Sequence, residues 1–306
     1  MVEITLLGCG GSMPVPNRYL SSLLINYRGR KILIDCGEGT QVSMKIANCG
    51  FKTIDYICIT HLHGDHIIGL PGILSTIGNC GRTEMLTIIG PKGIKEIIEA
   101  FKLIVKELPY DINIIENPKE DILVSNNYIN KDIIISTLEV EHSTPCIAYS
   151  FYIKRKAKFD MEKAMKNNVP KILWSKLQNG REIKLEGNIY TKDMVLGQPR
   201  KGIKVSFVTD TRPIKEIMDF VDNSDLLVCE GMYGDDCDLE RAIKNKHMTF
   251  RESATIAKQS NVETMVLTHF SPIIKDPNMY IENAMEVFEN TIIGTDRLKL
   301  NLLFKE

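Results

Sequence analysis

Short apolar runs alternate with longer amphipathic stretches along this chain, a pattern that predicts strands interleaved with helices. Strand-like runs occupy Val2–Leu6, Leu23–Asn26, Lys31–Asp35, Ile54–Ile59, Met85–Ile89, Ile133–Val140, Ala148–Tyr152, Val205–Thr209, Leu226–Cys229, Thr264–Leu267 and Leu298–Leu302. Helical periodicity marks Thr40–Ile46, Lys92–Lys106, Ile214–Val221, Thr249–Gln259 and Tyr280–Phe288. In the second of these, apolar residues at 94, 97, 98, 101, 104 and 105 share one face of a 3.6-residue period, and Pro91 and Gly93 mark its start. Thr249 is placed to cap the fourth, with Glu252 three residues on as its capping-box partner. The longest apolar runs are of strand length, so no membrane span is expected. Met1–Leu7 lacks a basic region followed by a long apolar stretch, and it reads as a first strand, not a signal peptide.

One segment, residues 154–201, breaks the alternation. It is poor in strand signals, carries two short helical stretches around Met161–Lys166 and Trp174–Leu177, and is punctuated by Pro170 and Gly180. With too few apolar residues for a core of its own, it is expected to be an arm projecting from a single domain of residues 1–306. Charge sharpens the picture. The whole chain is at −1, yet residues 154–201 hold thirteen Lys or Arg against five Asp or Glu, a net +8 that leaves −9 on the rest. A basic block in an otherwise acidic chain points to an anionic partner, the alternative being a solvated surface hairpin. The sole tryptophan, Trp174, lies in this segment and suits either core packing or stacking on a base or sugar. Elsewhere, 43% hydrophobic and 25% charged residues fit a soluble globular protein. Eight cysteines without a C-x-x-C pair read as reduced thiols in a cytoplasmic protein.

The chemistry is concentrated in His61-x-His63-x-Asp65-His66, which draws three of the six histidines into six residues. His61 and His63 alternate and would point the same way on an extended segment, while Asp65 and His66 can face a neighbouring position. Packed this closely, the side chains would repel when charged, and they need a shared cation. The other three histidines and one aspartate sit beside predicted elements: His142 after Ile133–Val140, Asp210 after Val205–Thr209, His247 before Thr249, and His269 after Thr264–Leu267. Together they supply what a two-metal site needs. His61, His63 and His142 could hold one ion, Asp65, His66 and His269 the other, and Asp210 could bridge both.

These residues resemble the ribonuclease Z family of the metallo-β-lactamase superfamily, endonucleases that trim the 3′ end of precursor tRNA. The resemblance spans nearly the whole chain: the glycine-rich Leu7–Pro14, the Asp35–Gln41 motif, Thr60–Leu74 with its Gly-Leu-Pro-Gly continuation, Val195–Arg200 and Asp210–Pro213. The segment between His142 and Asp210 lies where the family carries a tRNA-gripping exosite, and Arg155–Ala164 resembles it. The chain departs from the pattern at Tyr19, Lys171-Ile172, Met248 and Ile273. The resemblance implies an α/β (α+β) fold, an αββα sandwich of two mixed sheets flanked by helices, with a protruding exosite arm at 154–201. It implies two Zn2+ per chain, with Mn2+ as the other candidate, and a homodimer acting on precursor tRNA without DNA or membrane partners. Asp65 is the candidate to orient or deprotonate the attacking water, and His247 to protonate the leaving 3′ oxygen. Glu230 could orient His247, and Asp35 could hydrogen-bond a ligand imidazole. Glyoxalases, lactonases and β-lactamases share the metal motif, which keeps open a hydrolase of a small phosphodiester or ester on the same fold.

Overall fold

The computed structural model describes residues 1–125, 130–180 and 182–305. Arg181, one of the thirteen basic residues of the arm, lies outside the described residues. The chain divides into two compact units, residues 1–153 with 203–303, and residues 154–202 with 304–306.

The larger unit is built on two seven-stranded sheets. The first contains β1 (Val2–Gly8), β2 (Ser22–Tyr27), β3 (Arg30–Ile34), β4 (Ile54–Cys58), β5 (Leu86–Gly90) and β6 (Ile112–Glu116). The second contains β7 (Ile122–Ser125), β8 (Asn130–Val140) and β9 (Cys146–Arg155). After β10 (Ile183–Leu185) and β11 (Asn188–Tyr190), which form a separate hairpin, the second sheet continues through β12 (Arg200–Val208), β13 (Leu226–Glu230), β14 (Met265–Thr268) and β15 (Thr291–Ile293). The last strand, β16 (Leu298–Leu302), returns to the first sheet beside β1. Both sheets are mixed. β1, β2 and β3 pair antiparallel and β3 to β6 parallel, while β7, β8 and β9 pair antiparallel and β12 to β15 parallel.

Parallel pairing needs crossover helices, and these cover the outer faces. Helices Thr40–Ile46, Leu70–Asn79 and Ile94–Lys102 pack on the first sheet around Met44, Ile73, Ile77, Ile94 and Ile98. Lys215–Val221 and Phe250–Gln259 follow strands of the second sheet and bury Ile217, Val221, Phe250, Ala254 and Ile256. The inner faces meet at Tyr149 of β9, whose hydroxyl lies 2.8 Å from the Ile59 carbonyl at the end of β4. The architecture is the expected αββα sandwich. At Phe250–Gln259 the Thr249 and Glu252 capping box is present in full.

The periodic pattern missed some elements. The apolar segment 67–72 reads as the start of another element, and it leads into the Leu70–Asn79 helix, whose Pro71 sits in the first turn, where its missing N–H costs nothing. β6, β7 and β15 fall outside the strand-like runs, and of these β15, with three residues, is too short to show alternation. The Lys92–Lys106 helix is shorter than its apolar stripe and ends at Lys102, so Leu103 and Ile104 are exposed.

The smaller unit corrects one expectation. It does have a core, in which Ala164, Val169, Leu173, Leu177 and Val195 are buried under Phe159, Trp174, Tyr190 and Leu196. Few apolar residues suffice because helices Met161–Lys166 and Trp174–Gln178 and the β10–β11 hairpin fold against one another. Trp174 takes the packing role: its ring lies 5.0 Å from Phe159 and its indole N–H donates to the Val169 carbonyl at 2.9 Å.

In the larger unit, Asp55 on β4 accepts from the guanidinium groups of Arg30 and Arg82, all three being buried. Removing Asp55 takes the shared carboxylate from two buried guanidinium groups, although Arg82 keeps the carbonyls of Lys52, Glu84 and Met85. Asp55→Ala is therefore expected to cost about 3–5 kcal/mol, read by urea unfolding, with the metal content of the folded protein unchanged.

Candidate metal centre

The side chains singled out from the sequence converge at strand ends. His61 and His63 follow β4, Asp65 and His66 open the single-turn helix Gly64–Ile67, His142 follows β8, Asp210 follows β12 and His269 follows β14. Three positions use left-handed backbone that non-glycine residues rarely adopt: Asp35 (φ 55°), Asp210 (φ 52°) and His269 (φ 58°). Each costs about 1–2 kcal/mol and turns a side chain sharply off its strand end into the cluster.

The donor atoms form two groups. In the first, His61 Nε2 lies 3.0 Å from His63 Nδ1, and His142 Nε2 lies 3.2 Å from the same atom. Asp210 Oδ2 sits 3.5 Å from His61 Nε2 and 3.8 Å from His142 Nε2. In the second, His66 Nε2 and His269 Nε2 are 3.0 Å apart, and Asp65 Oδ2 is 3.4 and 3.3 Å from them. Asp210 Oδ1 completes this group at 3.4 Å from His66 and 3.2 Å from His269. Ligands on a tetrahedral zinc at 2.0–2.1 Å stand about 3.3–3.4 Å from one another, close to the spacing in both groups. One carboxylate thus offers one oxygen to each group, as the sequence suggested for Asp210.

Hydrogen bonds on the outer ring nitrogens fix which atoms face inward. His66 Nδ1–H donates to Asp35 Oδ2 at 2.7 Å, so the neutral ring presents a lone pair on Nε2. His142 Nδ1–H donates to the Lys246 carbonyl at 3.2 Å, with the same result. Asp35, fully buried, is itself held by the Thr60 N–H at 2.8 Å and the Thr60 hydroxyl at 2.9 Å. Ring nitrogens 3.0–3.2 Å apart in a buried site need a shared proton or a cation between them, and the donor set of imidazole and carboxylate suits a cation. A proton can stand in for that cation: burial works against a charged His66, but Asp210 and Asp35 outweigh it and push that imidazole well above its usual range. Burial and the neighbouring His66 push His61 well below the usual imidazole range. Burial would raise the Asp65 carboxyl, but hydrogen bonds from His269 and His66 outweigh it and hold the group below the usual carboxylate range.

His247 lies at the edge of the cluster, where it forms a third set of close donor atoms with Asp210 and His269, its Nδ1 at 4.0 Å from Asp210 Oδ2. That nitrogen donates instead to Glu230 Oε2 at 3.1 Å, the pairing anticipated from the sequence. Glu230 is fully buried at the end of β13 and also accepts from the N–H groups of Thr211 and Met248. Burial works against a charged His247, but Glu230 outweighs it and pushes the imidazole up to about 9.

Several contributors were invisible in the sequence because they act through the main chain. The Ser12 N–H donates to Asp65 Oδ2 at 2.6 Å. Gly11 packs so closely on His269 that a Cβ there would lie 2.6 Å from the ring. The glycine run Gly8-Cys9-Gly10-Gly11 signalled a tight approach, but not its target.

Two mixed sheets with a His/Asp cluster at their strand ends define a metallo-β-lactamase fold. Solved structures agree on the fold. Human tRNase Z, short form, matches with a TM-score of 0.69 at 22% identity, covering 98% of both chains. The metallo-β-lactamase fold protein YhfI from Bacillus subtilis matches with a TM-score of 0.69 at 19% identity, over 98% of this chain and 100% of that one. A family model described as "Anti-Pycsar protein Apyc1" matches residues 2–177, ending before Asp210, His247 and His269. Curated relatives match from end to end. The ribonuclease Z of Clostridium beijerinckii is 62% identical over 307 residues and that of Clostridioides difficile 60% over 306, each covering 100% of both chains. The chain belongs to the ribonuclease Z family.

Asp35→Asn removes the charge that holds the His66 ring while keeping the shape of the side chain. Metal affinity is expected to fall about 10–100-fold, measured by chelator competition, with little change in melting temperature of the metal-free protein.

Proposed function

We propose that this chain is a zinc-dependent endoribonuclease that removes the 3′ trailer of precursor tRNA and leaves a 3′-hydroxyl on the tRNA. The observation that carries the reading is Asp210, whose two oxygens serve two separate donor groups in a chain aligned end to end with ribonucleases Z. Two Zn2+ ions per chain fit the donors, one with His61, His63 and His142, the other with Asp65, His66 and His269, and Asp210 between them; Mn2+ is the other candidate. When bound, such ions supply Lewis-acid polarisation of the scissile phosphate and lower the pKa of water that reaches them toward about 7.

The chain's own residues do the rest. Asp65, held by the Ser12 N–H, orients the attacking water or takes its proton. As water adds to phosphorus, the bond to the tRNA 3′ oxygen breaks and the phosphate departs on the trailer. His247, kept protonated by Glu230, gives its proton to that oxygen. The basic segment 154–201 acts as the exosite, its +8 charge gripping the tRNA body through phosphate contacts that carry little sequence information. A homodimer in the cytoplasm completes the reading. Eight free cysteines suit a reducing compartment, and among the described residues no helix is long and apolar enough to cross a membrane.

The direct test is incubation of the metal-loaded protein with precursor tRNA carrying a 3′ trailer, followed by mapping of the ends. A cut elsewhere, or hydrolysis of small phosphodiesters alone, overturns the assignment. Metal analysis is expected to find two ions per chain, and light scattering a dimer. His247→Ala should retain both ions and lose about 10²–10⁴-fold in kcat; loss of an ion would make His247 a ligand. Deleting 154–201 should raise KM for precursor tRNA and flatten its salt dependence, because fewer counterions are released. Hydrolysis of bis(p-nitrophenyl) phosphate should survive the same deletion.

A further inference from the structure

We propose that Asp296, near the C-terminal end of the chain, is the positioning residue for the second donor group, acting on Asp65 and His269 through the loop of residues 9–19. This rests on the two-metal reading above.

The side chain of Asp296 is 6% exposed and lies just before β16. Its Oδ1 accepts from the Cys9 N–H at 3.2 Å and the Cys9 thiol at 3.3 Å, while its Oδ2 accepts from the Tyr19 N–H at 2.9 Å. One carboxylate therefore closes the loop by gripping both its ends. The ends also pair with each other, the Gly10 N–H donating to the Tyr19 carbonyl at 2.8 Å. Between them the chain touches two of the group's three non-bridging members, Asp65 and His269. The Ser12 N–H meets Asp65 Oδ2 at 2.6 Å, and Gly11 packs against the His269 ring.

The loop is also stitched to the segment that carries His269. Gly11 N–H donates to the Phe270 carbonyl at 3.0 Å, and Phe270 N–H donates to the Cys9 carbonyl at 2.9 Å. Arg18 reaches the carbonyls of Ser271 and Ile274. Ser12 sits at φ 66°, so its N–H is aimed by a backbone that a relaxed loop would abandon. A charged acceptor is the strongest available tether for two main-chain N–H groups at once. The loop makes no comparable hydrogen bond, among those described, to His61, His63 or His142. The effect of Asp296 should thus fall on one donor group and spare the other.

The test is cobalt titration of the full-length protein, followed through the visible absorption of each equivalent, together with kcat and KM on precursor tRNA. In Asp296→Ala the first equivalent should bind as in the unaltered protein and the second about 10–100-fold more weakly, with kcat falling while KM stays within about twofold. Leu86→Ala, a core substitution at the start of β5, serves as the control for general destabilisation and should leave both equivalents intact. Should Asp296→Ala not fold, Asp296→Asn carries the same test, since it keeps the side-chain volume and one acceptor oxygen. Both equivalents binding as in the unaltered protein, with kcat unchanged, would make Asp296 a structural residue and overturn the proposal. Equal weakening of both equivalents would also overturn it. If the unaltered protein itself takes only one equivalent, the two-metal reading fails, and the positioning role fails with it.

Discussion

Five imidazoles and two carboxylates that share a buried space create the constraint around which the rest of this molecule is arranged. Nitrogen lone pairs 3.0–3.2 Å apart repel, and burial removes the water that would screen them. The arrangement persists because other parts of the fold hold several of its members from behind: Asp35 on His66, the Lys246 carbonyl on His142, and Ser12 on Asp65. Asp210 gives the cluster its symmetry, since each oxygen faces a separate group. A cation among these donors would convert this repulsion into coordination.

The sandwich explains how such a cluster is affordable. Strands β4 and β13 are buried along their full length, and β12 over its C-terminal half, which makes their C-terminal ends rigid. Rigid strand ends can enforce left-handed turns at Asp35, Asp210 and His269 that a flexible loop would relax. The two sheets meet at Tyr149, beside the end of β4, so the strands that carry His61 and Asp210 cannot drift apart independently. Stability held in the core is thus converted into precision at one edge.

Charge is partitioned as clearly as geometry. The larger unit concentrates buried acids and imidazoles at one site, while the segment 154–201 carries the basic excess and a small core of its own.

Much of this was legible in the sequence because it depends on local spacing. The His61 to His66 motif, the strand that precedes it, the Thr249 capping box and the basic run all follow from residues close together in the chain. The pairing of Glu230 with His247 and of Asp35 with a ligand imidazole could be anticipated from their places after strands. What the sequence could not hold were contacts made by the main chain. The Ser12 N–H on Asp65, the Lys246 carbonyl on His142 and the Asp296 clamp on Cys9 and Tyr19 involve groups that any residue possesses, or partners up to 287 positions apart. Nor could composition foresee the small core around Leu177, because a few apolar residues become a core only when helices and a hairpin fold them together. The sequence alone determined which side chains could meet a metal; the tertiary structure decided which nitrogen and which oxygen each one presents, because that choice is made by hydrogen bonds between distant strands.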